Sequence, residues 1–65
     1  MNNKRIGAKV IYYRMLKQMT QKELAERLNI NRQYLSQIEK GYIPCDDTLL
    51  DKICEVLEIN KNNIL

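Results

Sequence analysis

Apolar residues recur along this chain at the spacing of an α-helix. Ile6, Val10 and Tyr13 follow one another at i, i+4 and i+7, which predicts an amphipathic helix over about residues 4–17. Three later stretches repeat the pattern, with inward positions at Leu24, Ala25 and Leu28, at Leu35 and Ile38, and at Leu49, Leu50, Ile53 and Leu57. No segment alternates between apolar and polar residues as a half-buried strand does. The pattern therefore predicts an all-α fold.

Capping residues mark where these helices begin and end. Thr20 and Glu23 form a capping box that opens the second helix. Asn31 is a favourable N-cap for the third helix, and Gly41 suits the left-handed position that ends it. Two further caps complete the pattern: Asp46 or Asp47 before the fourth helix, and Asn60 before a short fifth helix at residues 61–65.

Residues 21–40 form two helices of about eight residues around the short segment Asn29-Ile30-Asn31, the arrangement of a helix-turn-helix unit. Asn29 suits a turn that requires positive φ, and Ala25 is small enough to let the two helices cross closely. Leu24, Leu28, Ile30, Leu35 and Ile38 fill the angle between the helices. The outward residues of the second of them are polar: Arg32, Gln33, Ser36, Gln37 and Lys40. Such a helix is narrow enough for the major groove of B-DNA.

Length and composition limit the functions open to the chain. Its 65 residues suffice for one domain, residues 1–65, with a core so small that dimerisation is a common supplement. Two cysteines and no histidine cannot build a disulfide framework or a zinc site, and a reducing cytoplasm is the simplest setting. We expect no membrane span, cofactor, metal or small-molecule ligand. No nucleophile has a recognisable base, so we do not expect an enzyme.

Charge is unevenly distributed. Residues 1–45 hold nine Lys and Arg against three Asp and Glu, a net charge of +6, whereas residues 46–65 carry −3. A solvated surface with random charge placement would explain this. A basic face toward a polyanion, with an acidic end pointing away, would explain it equally well.

The stretch TQKELAERLNINRQYLSQIEKG, residues 20–41, closely resembles the helix-turn-helix of the Cro/C1-type (XRE, lambda-repressor-like) family. The similarity extends from Ile6 to Ile59. It implies a compact five-helix domain that binds double-stranded DNA and regulates transcription, usually as a homodimer on a two-fold operator. Asn29 departs from the family's glycine. The end at Leu65 also departs from relatives with a longer fifth helix or a regulatory domain, which leaves the mode of dimerisation open.

The resemblance also assigns roles to individual residues. Gln21 matches a glutamine that opens the second helix and contacts the DNA backbone. Arg32, Gln33, Ser36 and Gln37 match positions that reach bases or nearby phosphates, and Tyr34 and Lys40 match positions often at the backbone. The resemblance pairs Arg14 with Glu39, and we favour this structural role of Arg14 over a basic contact. We likewise favour base contact over mere surface exposure for Gln33 and Gln37.

Several residues outside the motif have simpler interpretations. Cys54 is expected to be a small, partly buried hydrophobic residue, and Cys45 an exposed thiol in a loop. Ala8, Ile11, Tyr12 and Met15 lie away from the core side of the first helix. They form a contact surface, or else residues after Asn60 or the Tyr side chains themselves cover them, and the two interpretations are equally favoured. A two-fold dimer would use Ile59, Ile64 and Leu65 in preference to Ile11, Tyr12 and Met15.

Two functions remain from the sequence. The first is a sequence-specific DNA-binding transcriptional regulator, with a repressor favoured. The alternative is a protein-interaction module of the same fold, such as an antitoxin or an anti-repressor. Arg32, Gln33 and Gln37 are polar and belong to the basic part of the chain, residues 1–45. They favour the DNA-binding regulator, because an interaction module has no need of them.

Overall fold

The chain folds into five helices in a computed structural model that describes residues 2–65. They are α1 (Asn3–Leu16), α2 (Gln21–Leu28), α3 (Arg32–Glu39), α4 (Asp47–Leu57) and α5 (Lys61–Ile64). Across residues 2–65 there is no strand, which confirms the predicted all-α class. None of these helices combines the length and the apolar character that crossing a membrane requires.

The helix ends form as the capping residues predict. The Thr20 hydroxyl accepts a hydrogen bond of 3.0 Å from the backbone N–H of Glu23, whose carboxylate accepts one of 2.9 Å from the Thr20 N–H. Asn31 caps α3 through the N–H of Gln33. Asp46 rather than Asp47 caps α4, and Asn60 caps α5.

Left-handed backbone conformations end two of the helices at the expected residues. Asn29 follows α2 with φ of 58°, and Gly41 lies just beyond α3 with φ of 78°. Gly41 is also pressed against α1, because a Cβ placed there would lie 2.7 Å from the Cα atom of Lys4. Gln18 and Glu58 also adopt positive φ. The sequence does not predict this, because residues other than glycine rarely take that conformation.

One apolar core lies between the helices and receives side chains from all five. Its members are Ile6, Val10, Leu24, Ala25, Leu28, Leu35, Ile38, Cys45, Leu49, Leu50, Ile53, Cys54, Leu57 and Ile64. Gly7 allows α1 to approach α3 closely. A Cβ at this position would overlap the backbone carbonyl oxygens of Ile38 and Glu39.

Two expectations from the sequence were wrong. Ile64 is fully buried within the chain, because α5 packs back against α1 and α4, so its side chain is not available to a dimer interface. Cys45 is 5% exposed, because the loop after α3 turns its side chain into the core. Burial there raises the pKa of the Cys45 thiol to about 11. Cys54 is buried, as a small hydrophobic residue would be.

Candidate nucleic-acid interface

The outer face of α3 presents the predicted polar side chains together. Gln33, Ser36, Gln37 and Lys40 line one shallow depression of ≈ 280 Å³. Their spacing of i, i+3, i+4 and i+7 explains this, since such residues share one side of a helix. Arg32 lies one turn before Ser36 and is exposed.

The polar side chains on the outer face of α3 are available to bind another molecule. Among residues 2–65, no hydrogen bond or ion pair engages the side chain of Arg32, Gln33, Ser36 or Gln37. The Lys40 ammonium makes only a loose contact, 5.9 Å above the centre of the Tyr42 ring. In the major groove, a glutamine side chain offers a donor and an acceptor to the edge of adenine, and an arginine side chain offers two donors to the edge of guanine.

Tyr34 lies at the edge of this polar face of α3 and not within it. It is 37% exposed and borders a second depression of ≈ 260 Å³. The other residues of that depression come from the turn after α2 and the start of α4: Leu28, Asn29, Ile30, Asp46, Thr48, Leu49 and Lys52. The position of Tyr34 at the edge of the polar face is compatible with the backbone contact that the resemblance implies.

The inward face of α3 fixes its orientation. Leu35 and Ile38 are buried in the core, and Ala25 of α2 is buried where the two helices cross. A long side chain at residue 25 would separate α2 from α3. The left-handed Asn29 allows the chain to turn directly from α2 into α3. A helix so anchored presents its outer face in one orientation.

A buried ionic network ties α1 to the end of α3. Arg14 donates two hydrogen bonds to the Glu39 carboxylate, at 2.8 Å from Nε and 3.2 Å from a terminal guanidinium nitrogen. A third donor of Arg14 lies 2.8 Å from the carbonyl oxygen of Met19. The Glu39 side chain is only 1% exposed, so this ion pair, the one that the resemblance implies, lies inside the fold.

Gln21 belongs to the same network, which the sequence did not predict. Its side-chain N–H donates to a Glu39 oxygen at 2.8 Å, which fixes the amide plane at the start of α2. Its amide oxygen makes no hydrogen bond within residues 2–65. Only the spatial approach of Gln21 and Glu39, 18 positions apart, reveals this contact.

The geometry thus brings Arg32, Gln33, Ser36, Gln37 and Lys40 to the outside of α3, with Tyr34 at the edge. Arg14, Ala25 and Glu39 lie behind that face, Asn29 lies in the exposed turn before α3, and the Gln21 amide contacts Glu39. Contact of any of these residues with DNA stays a prediction.

Comparison with known proteins gives the family. Residues 10–62 match the model of the family described as Helix-turn-helix, which covers most of the chain. No curated protein sequence matches the chain significantly.

Two solved proteins have a similar structure. Two crystal structures of the clp gene regulator ClgR from Corynebacterium glutamicum superpose with TM-scores of 0.94 and 0.93 at 28% identity. Each covers 98% of this chain, which spans 68% and 83% of those chains. The restriction-modification controller protein C.AhdI from Aeromonas hydrophila gives a TM-score of 0.89 at 21% identity, covering 95% of this chain and 94% of that one. This second likeness shows the fold alone.

The extent of the family match, the five-helix fold and the exposed polar face of α3 agree with one another. The chain belongs to the Cro/C1-type helix-turn-helix family of DNA-binding transcriptional regulators.

Proposed function

We propose that this protein is a repressor that binds a two-fold operator as a homodimer, with α3 of each subunit in the major groove. The observation that carries the proposal is the outer face of α3, where Gln33, Ser36, Gln37 and Lys40 lie side by side. With the other face of α3 packed on the core, this face is the one that can enter a groove.

Base recognition is assigned to the first two turns of α3. Glutamine binds adenine through N6 and N7, and arginine binds guanine through O6 and N7. Gln33, Gln37 and Arg32 are the residues with these chemistries, and Ser36 between them can bond a base or a nearby phosphate.

Phosphate contact is assigned to residues around that face. Lys40 at the end of α3, Tyr34 at its edge and Gln21 at the start of α2 each have a polar group for a phosphate oxygen. The first N–H groups of α2 would add to the attraction, because the N-terminus of a helix favours anions. The +6 charge of residues 1–45 would draw the protein toward DNA.

A homodimer is proposed because one recognition helix contacts too few base pairs to define a unique site. Helix-turn-helix proteins place two such helices about 34 Å apart, one turn of DNA. With Ile64 buried, the C-terminal side retains partly buried Ile59 and Leu65, which is 45% exposed, as the apolar groups for an interface. Such an interface would be small, so dimerisation would accompany operator binding.

Repression would follow from occupancy alone, because a dimer bound over a promoter excludes other proteins. A protein that acts on the chromosome in this way would work in the cytoplasm of a bacterium. Two free, buried thiols suit that reducing compartment.

Selection of bound sites from random duplex DNA tests the proposal. We expect enrichment of a two-fold sequence whose half-sites are centred about 10 base pairs apart. Enrichment of a single asymmetric site would contradict the dimer. No enrichment at all would contradict sequence-specific binding and favour the alternative, a protein-interaction module such as an antitoxin or anti-repressor.

A further inference from the structure

The outer side of α1 carries an exposed apolar strip that neither the core nor the proposed DNA face uses. Tyr12, Met15 and Leu16 are 56%, 64% and 60% exposed. Ala8, one turn before Tyr12, is small and leaves a shallow depression of ≈ 400 Å³ that Arg5, Lys9 and Tyr12 border. We call Ala8, Tyr12, Met15 and Leu16 the α1 strip. An exposed patch of neighbouring apolar side chains on one helix indicates a binding surface.

The α1 strip is separate from the polar face of α3. Gly7 is the residue of α1 that touches the α3 backbone, while Ile6 and Val10 enter the core. Ala8 and Tyr12 lie on the opposite side of α1, since residues one turn apart share a face. The depression around Ala8 shares no residue with the depression on α3. A molecule on the α1 strip therefore need not displace DNA.

Charge indicates what kind of molecule would bind there. The helix from Asn3 to Leu16 contains four cationic residues and no carboxylate. Arg14 is neutralised by Glu39. Within residues 2–65 no side-chain carboxylate pairs with Lys4, Arg5 or Lys9, and Arg5 Nε donates to the backbone oxygen of Leu65 at 3.1 Å. The charge beside the α1 strip is thus positive, with no acidic side chain opposing it.

The α1 strip of a second copy of this chain is a poor occupant. If two α1 strips faced each other, each helix would bring Lys4, Arg5 and Lys9 toward its mate, and neither would bring a carboxylate. Like charges that are desolvated together oppose association. The complementary occupant is a helix with apolar residues on one stripe and Asp or Glu beside it.

We propose that the α1 strip is a docking site for an acidic amphipathic helix of another protein. A bulky apolar side chain of that helix would enter the depression over Ala8 and pack against the Tyr12 ring. Its flanking carboxylates would meet Arg5 and Lys9. Recognition of this type places apolar anchors at i, i+3, i+4 and i+7 on one face of the bound helix. The regulator would then hold a partner protein while α3 remains on DNA.

The test uses a synthetic peptide as the probe and requires no DNA. The peptide is an Ala-based helix with Leu at i, i+3, i+4 and i+7 and Glu at the flanking positions. One control replaces every Glu by Gln, and a second places the same residues in scrambled order. Titration against the full chain, followed by amide shifts in NMR, reports both affinity and location.

We expect saturable binding of the acidic peptide, with shifts concentrated on residues 5–16 and weaker binding of both control peptides. Tyr12→Ala should weaken binding about tenfold, as an aromatic anchor does, while the domain stays folded. The matched control is Tyr42→Ala, which removes a 71% exposed ring that is not part of the α1 strip or of the depression over Ala8, and it should leave binding unchanged.

Absence of saturable binding would overturn the proposal. Equal losses from Tyr12→Ala and Tyr42→Ala would do the same, since binding would then not be local. The other candidate for this cationic surface is DNA phosphate. If Lys9→Gln flattened the salt dependence of DNA binding, the surface would belong to DNA and the docking proposal would be wrong.

Discussion

Removal of one member of the Arg14–Glu39 pair is the sharpest test of how α3 is held in place. Arg14→Met would leave the Glu39 carboxylate, 1% exposed, with the Gln21 amide as its one partner among residues 2–65. An uncompensated buried charge costs about 3–5 kcal/mol. A domain of this size has roughly 3–10 kcal/mol of stability, so the single change would remove a large part of it.

The double variant Arg14→Met/Glu39→Leu should lose less stability than Arg14→Met alone. It removes both charges together, and replacing a buried pair by apolar residues is often neutral. Some cost remains, because the carbonyl oxygen of Met19 loses its guanidinium donor. Urea denaturation followed by circular dichroism gives the free energies of unfolding, and Glu39→Gln provides a milder single variant if Glu39→Leu does not fold.

The control is the pair Lys17 and Glu58, whose closest N–O distance is 3.7 Å and whose side chains are 40% and 79% exposed. Lys17→Met should cost less than about 1 kcal/mol, because solvent screens exposed pairs. The reasoning is refuted if the losses of Arg14→Met and Glu39→Leu simply add in the double variant, since independent residues behave in that way.

Three further predictions concern binding, packing and pH. Lys40→Ala should weaken binding to all DNA sequences alike and flatten the slope of log K against log salt by about 0.9, whereas Lys9→Ala should leave the slope unchanged. Gly7→Ala should lower the thermal midpoint by roughly 4 °C or more, because the added Cβ overlaps backbone atoms at the end of α3. The overlap outweighs the gain in helix propensity that alanine brings. An unchanged or higher midpoint would contradict the close approach of α1 to α3. Burial raises the pKa of the Cys45 thiol from 9.0 to about 11. The unfolded chain therefore loses this proton first, and stability should fall as pH rises from about 9 toward 11. Cys45→Ala should show a smaller fall over that range, and an equal fall would mean that the buried thiol is not the cause.

Most of the fold could be predicted because the helices are amphipathic and their ends carry explicit capping residues. The pattern through Leu49, Leu50, Ile53 and Leu57 fixes which side of α4 is buried. Asn29 was predicted to turn α2 into α3 because asparagine tolerates positive φ. Once Leu35 and Ile38 are placed in the core, the polar residues of α3 must lie on its outer side.

The remaining features depend on tertiary contacts that a local pattern does not encode. Ile64 lies 48 positions beyond the end of α1 at Leu16, so its burial depends on how α5 packs rather than on its neighbours in sequence. The inward turn of Cys45 follows from the path of the loop after Gly41. The hydrogen bond from Gln21 to Glu39 and the contact of Gly7 with α3 likewise require the assembled helices.

Direct readout of bases by α3 is the central claim, and one comparison of affinities tests it. The measurement is the affinity of the parent protein and of Gln37→Ala for the selected operator and for random duplex DNA at one salt concentration, with Asn62→Ala as a control at an exposed amide on α5. We predict that Gln37→Ala loses about 1–3 kcal/mol on the operator and almost nothing on random DNA, and that Asn62→Ala changes neither. Equal losses on operator and random DNA, or no loss on either, would contradict base recognition by the outer face of α3.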